Sequence, residues 1–156
     1  MKRLLLIRHA KATHDTDYKD FDRPLKKSGI KDSEIMADHL KTKSYIPQII
    51  FSSPSVRTKK TADIFAEHLS VTKIQTDKAI YEASDATLLD IINEFPDQYY
   101  FIALVGHNPA ISQMLYHLTG QIKDVPPCAI AVIDFEFDEW KLISGGTGKL
   151  VLYDEV

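Results

Sequence analysis

The sequence predicts an α/β fold, a three-layer αβα sandwich with a mostly parallel central sheet and an antiparallel C-terminal hairpin. Three observations predict it: short continuous apolar runs, helical apolar spacings between those runs, and capping or turn residues where the two kinds of segment meet. The runs are RLLLI (3–7), PQIIFSS (47–53) and YFIALVG (100–106), each ended by polar or turn residues and each reading as a strand buried on both faces. Between them, helical spacing links Ile30, Met36, Ala37 and Leu40, then Ala62, Phe65, Ala66 and Leu69, then Leu88, Leu89, Ile91, Ile92 and Phe95.

Ser53-Pro54 and Asn108-Pro109 each read as an N-cap followed by proline at the first helical position, and Gly120 as the stop of the helix carrying Met114 and Leu118. Near the end, AIAVIDFEF and WKLIS flank Asp138-Glu139 and predict the antiparallel hairpin. The connection from Lys11 to Ser28 has no period. A connection this long in a compact domain points to function, and it reads as a solvated, flexible substrate loop. Its carboxylates do not make a calcium loop, because Asp20 stands where an EF-hand needs glycine and no glutamate closes the loop.

The chain has 156 residues, 44% hydrophobic and 26% charged, which fits one domain spanning 1–156 with a well-filled core. A formal charge of −3 offers no general attraction to nucleic acid or to an anionic membrane, so neither is expected as a partner. Cys128 is the single cysteine, which rules out an internal disulfide and a cysteine-built zinc site and fits a packed core thiol. No apolar run reaches the length of a signal-peptide core or a membrane span, and a cytoplasmic protein is expected.

In an open parallel sheet, ligands bind beyond the carboxyl ends of the strands. The three predicted strands end there with Arg8-His9, with Ser52 to Arg57, and with Gly106 to Pro109. Arg57 falls in the first turn of a helix, where the dipole disfavours a cation unless an anion is nearby. Two arginines, two histidines and two helix N-termini at one sheet edge read as a site for a phosphoryl group, which phosphate or sulfate would also occupy.

Two rival motifs fail. SGGTGKL (144–150) has Leu150 where a phosphate loop needs Ser or Thr, and it precedes a strand-like segment. The histidines show no zinc-protease spacing, and Arg8 and Arg57 would repel a metal, so neither metal nor other cofactor is expected. Arginine forks match phosphoryl oxygens, while a neutral imidazole among cations has a lowered pKa and a free lone pair. One histidine can then attack phosphorus in line while the cations neutralise the equatorial oxygens.

LIRHAKA, SSPSVRTKKTA and LVGHNP, in this order, resemble the histidine phosphatase superfamily, the phosphoglycerate-mutase-like enzymes. The short chain, RPLKKSG (23–29) and YEAS (81–84) make it more similar to the SixA-type phosphohistidine phosphatases. The resemblance implies a phosphoglycerate-mutase-like fold and metal-independent phosphatase activity, with His9 as nucleophile and Arg8, Arg57 and His107 on the phosphoryl oxygens. It also implies a further arginine near the site at Arg23 and a proton-donating carboxylate at Glu82; Asn108 joins the substrate-binding set as part of GHNP. Arg23 reads equally as a surface ion pair with the adjacent Asp22, and Glu82 as an exposed glutamate. Ala10 replaces the signature glycine, so the backbone there needs no glycine-only conformation. Long insertions that enclose phosphosugars in larger members are lacking, which suits a phosphorylated protein, protein phosphohistidine above all, better than a small phosphoester. Two other readings stand beside it: a phosphate-recognition module without turnover, and a small-molecule phosphomonoesterase or mutase.

Overall fold

The computed structural model describes residues 1–156. Ten elements follow in chain order: β1 (Lys2–Arg8), α1 (Lys27–Thr42), β2 (Ile49–Ser52), α2 (Val56–Leu69), β3 (Ile74–Thr76), α3 (Asp85–Asn93), β4 (Phe101–Gly106), α4 (Ala110–Thr119), β5 (Ile130–Phe135) and β6 (Lys149–Asp154). The strands form one sheet in the order β3-β2-β4-β1-β5-β6. β1 to β4 run parallel, β5 is antiparallel to β1, and β6 is antiparallel to β5.

Side-chain alternation along the central strands divides the core in two. Leu4, Leu6, Ile102 and Leu104 pack against Leu88 and Ile92 of α3 and Met114 and Leu118 of α4. Leu5, Ile7, Ala103 and Val105 face the opposite layer with Met36 and Leu40 of α1 and Phe65 and Leu69 of α2. The expected three-layer αβα sandwich results, and the continuous apolar runs are explained, since a central strand covered on both faces has no polar side.

Three details differ from the sequence reading. The C-terminal antiparallel pair is β5 with β6, and residues 140–144 form no strand. Trp140 is instead fully buried in a 3-10 turn, with its backbone N–H donating to Asp97 Oδ1 at 2.9 Å and its indole N–H to the Tyr99 carbonyl at 2.9 Å. Trp140 and Ile143 of WKLIS plug the α3–α4 layer, a role periodicity does not separate from that of a short strand. Second, α2 is capped by Ser55 and not Ser53, because the Ser55 hydroxyl accepts from the Thr58 N–H. Third, α4 begins at Ala110 with Pro109 at the cap position, although Asn108 still reaches in and accepts from the Ser112 N–H at 3.1 Å. Gly120 ends α4 in the left-handed region at φ 76°, as expected. The strand β3, too short and too polar to signal itself, adds an edge next to β2.

The connection before α1 is exposed but closes on itself. Ala12 bridges Leu25 in antiparallel fashion, the Thr13 N–H donates to the Pro24 carbonyl, and the Lys26 N–H donates to the Lys11 carbonyl at 2.9 Å. Gly29 makes this neck possible: a Cβ there would lie 2.2 Å from the Lys11 carbonyl oxygen.

Candidate active site

Parallel pairing of β1 with β4 sets Arg8 opposite Gly106, so the next residue of each strand, His9 and His107, emerges side by side with ring centroids 5.4 Å apart. β2 ends level with them, Ser52 pairing with Val105, and the chain turns into α2, which carries Arg57 in its first turn. Thr61 of α2 pins the end of β1 by accepting from the Ala10 N–H and donating to the Arg57 carbonyl. Arg8, His9, Arg57 and His107 thus meet at one sheet edge.

His9 is 7% exposed. Its Nδ1 lies 2.8 Å from the Ala10 carbonyl oxygen, which can only accept, so Nδ1 carries the proton and the Nε2 lone pair is free. Burial, aided by the charges of the neighbouring His107, Arg57 and Arg8, lowers its pKa from 6.5 to about 3. His107 is lowered to about 4, again by burial first and then by Arg57. Arg57 Nη2 lies 3.4 Å from His107 Nδ1, which must accept, and His107 Nε2 is left to donate to Ser53 Oγ at 2.8 Å.

The guanidinium groups are held from behind. Arg8 Nη1 donates to the Val125 carbonyl at 3.1 Å, and Asn108 Nδ2 donates to the same oxygen at 3.0 Å. Val125 sits at φ 48° and Cys128 at φ 70°, left-handed conformations uncommon for residues other than glycine. The Cys128 N–H reaches the Arg8 and His9 carbonyls at 3.1 Å each, so this strained segment clamps the end of β1. The Cys128 thiol itself is in the core, with burial pushing its pKa up to about 12.

Three of the chain's four arginines, Arg8, Arg23 and Arg57, line a cavity of about 340 Å³ with His9 and His107. Each of the three has a buried Nε with no hydrogen-bond acceptor in the protein. The cavity also includes Lys11, His14, Asp20 and Lys26, none of which the sequence reading placed at the site. Asp20 is the most consequential of them. Arg57 donates to its backbone carbonyl at 2.6 Å and to its carboxylate at 3.1 Å, and the Tyr81 hydroxyl donates to the same carboxylate oxygen at 2.7 Å. The Tyr81 hydrogen bond, then Arg57, hold the Asp20 carboxyl below its usual pKa, so it stays ionised. Its only mark in the sequence is a carboxylate three residues before Arg23 in an aperiodic loop.

The remaining candidates fall at the margin. Arg23 Nη1 donates to His14 Nδ1 at 2.9 Å, and its Nε pairs at 3.4 Å with Asp20 Oδ1, not with Asp22. Asn108 lines the cavity, but its amide is engaged by the Asp124 and Val125 carbonyls and the Ser112 N–H. Glu82 is exposed, at φ 58°, and lines a neighbouring cavity of about 290 Å³ with Tyr81, Asp20, Arg57 and His107 but without His9.

Comparison with known proteins supports the fold. A chloroplastic protein of Arabidopsis thaliana is 30% identical over 153 residues, covering 90% of this chain and 69% of that protein. The crystal structure of SixA from Agrobacterium tumefaciens, at 27% identity, superposes with a TM-score of 0.84 over 99% of this chain and 98% of that one. The protein histidine phosphatase SixA complexed with tungstate shares the fold at 20% identity, with a TM-score of 0.78 over 97% and 95% of the two chains. Residues 4–85, including Arg8, His9 and Arg57, match the family model of the histidine phosphatase superfamily, branch 1, and it is to this superfamily that the chain belongs.

Proposed function

We propose that this histidine phosphatase hydrolyses phosphohistidine in proteins through a covalent phosphohistidine intermediate on His9, without a metal, residues 1–156 acting as one catalytic domain. The observation that carries the substrate choice is the placement of Glu82, exposed and lining a cavity that adjoins that of His9, the two sharing Asp20, Arg57, His107 and Asn108. An alcohol leaving group needs a proton donor beside the departing oxygen. Glu82 lies exposed in the adjoining cavity, which His9 does not line, and Asp20, which lines both, is held ionised by Tyr81 and Arg57. A phosphorylated imidazole that carries a proton on its other ring nitrogen leaves as neutral histidine and needs neither. The likeness to SixA proteins, one of them named a protein histidine phosphatase, supports the same substrate class.

In the first step the His9 Nε2 lone pair forms a bond to phosphorus, and the bond to the substrate imidazole nitrogen breaks on the opposite side with its electron pair. Arg8 and Arg57 neutralise the equatorial oxygens, and their buried Nε donors, without acceptors in the free protein, supply hydrogen bonds for the anion. His107 adds a further donor when protonated: its Nε2 is taken by Ser53, so Nδ1 serves the phosphoryl oxygen. In the second step water attacks the phosphorus of phospho-His9, releases inorganic phosphate and restores the neutral imidazole. Arg57 must exchange its bond to the Asp20 carboxylate for one to the phosphoryl group.

The test is hydrolysis of a phosphohistidine peptide and of an aryl phosphate, with excess chelator, by wild type and His9→Ala in parallel. Turnover of the peptide by wild type, with a loss of several orders of magnitude in His9→Ala, is the expected result. Binding of both substrates without turnover of either would turn the reading into that of a recognition module, and turnover of phosphoesters alone would make it a small-molecule phosphatase.

A further inference from the structure

The cavity carries more positive charge than one phosphoryl group needs. Arg8, Lys11, Arg23, Lys26 and Arg57 line it against the single carboxylate of Asp20. Even with Asp32 set against Lys11, from which it lies 3.5 Å away, a phosphoryl dianion leaves the site net positive. The surplus is not spread evenly. It comes from the neck of the 11–28 loop, where the Lys11–Lys26 backbone hydrogen bond and the Arg23–His14 side-chain bond stack basic residues opposite one another. Like charges directly across an antiparallel pair are unfavourable by themselves. Gly29 and the Ala12–Leu25 bridge nonetheless hold the two lysines there.

We propose that Lys11, His14, Arg23 and Lys26 form a second anion subsite beside the phosphoryl centre, which binds acidic side chains flanking the phosphorylated residue of a protein substrate. The proposal rests on the reading of the substrate as a phosphorylated protein. An extended peptide fits this surface better than an enclosed small molecule does, because Lys11, His14 and Lys26 are exposed and the same loop presents Tyr18 and Phe21 to solvent at 46% and 38% exposure. Arg23 ties the subsite to the centre: its guanidinium touches His14 on one side and pairs with Asp20 on the other, and its buried Nε is close to Asp20 Oδ1 without being aligned for a hydrogen bond. An acidic side chain at the neck would thus neutralise the surplus while the phosphoryl group meets Arg8 and Arg57.

The experiment is equilibrium binding, by fluorescence anisotropy, of two labelled phosphoserine peptides to the full chain carrying His9→Ala. One peptide has aspartates on both sides of the phosphoserine, the other asparagines. Preference for the acidic peptide should be about fivefold or more, the size expected of two exposed ion pairs, and should shrink as salt is raised. It should collapse in Lys26→Gln and in Lys11→Gln/Lys26→Gln, and be retained in Lys26→Arg, which keeps the charge and controls for folding. A preference below twofold, or one that survives loss of both lysines, overturns the proposal. So does a preference confined to a sugar bisphosphate over its monophosphate, since the second anion would then come from a small molecule. Binding to His9→Ala involves no turnover, so the flank preference is read whether or not phosphohistidine proves to be hydrolysed.

Discussion

Asp20 occupies Arg57 in the free protein, and a phosphoryl group has to displace it. Replacing it with Asn removes a competing charge while keeping the side chain's shape. Asp20→Asn should therefore bind tungstate about fivefold more tightly, corresponding to about 1 kcal/mol for a partly solvated charge several ångströms away. Isothermal titration would read this, and weaker binding would show that Asp20 positions Arg57 instead of competing for it. The two imidazoles give a second prediction. Their pKa values are lowered from 6.5 to about 3 for His9 and about 4 for His107, so the unfolded chain binds more protons than the folded one below about pH 6.5. The stability they contribute is fully present above that pH and is lost as pH falls toward 4 and then 3. Histidine NMR titration should show no response of His9 or His107 between pH 8 and 5. A midpoint near 6.5 for either would remove the basis for a neutral resting nucleophile. Arg8, His9, Arg57 and His107 were legible in the sequence because a strand end is a fixed address at the edge of a parallel sheet. Asp20 was not, because its contacts with Arg57 and Tyr81 are made by a loop whose path no periodicity records.

The helices and loops set how firmly those residues are held. Ser55 caps α2 two residues before Arg57, and Ser55→Ala should cost about 1 kcal/mol, measured as a lower midpoint in urea denaturation with unchanged m-value. The neck of the 11–28 loop should be more sensitive. In Gly29→Ala the added methyl would lie 2.2 Å from the Lys11 carbonyl oxygen, so Lys11 and the start of α1 must part. The expected loss is about 1–3 kcal/mol, as for other overpacked sites, together with faster amide exchange at Thr13 and Lys26, whose N–H groups close the neck. Unchanged exchange there would mean that the neck does not depend on Gly29. The buried strands announced themselves as apolar runs, and the helices by their apolar spacing. The C-terminal antiparallel pair was legible as a kind of structure but not in its second member, since Trp140 and Ile143 plug the core from a turn while β6, at half-burial, carries the pairing. A shallow polar edge such as β3 offers no contrast for a pattern to detect.

The sheet order explains why these parts converge. β1 lies between β4 and β5, and β4 between β1 and β2, so the carboxyl ends of β2, β4 and β1 are adjacent and open in one direction. A chain of net charge −3 thereby concentrates five of its cations around one cavity. The helices covering each face make that edge the natural outlet for the polar residues that end each strand. The proposed activity depends on covalent phosphorylation of His9. The most direct measurement is a rapid alkaline quench of wild-type protein mixed with phosphohistidine peptide, followed by mass spectrometry of the digested chain. A phosphoryl group on His9, formed and lost at rates matching turnover and absent from His9→Ala, is the predicted result; phosphate release with no label on His9, or with label on another residue, would contradict it.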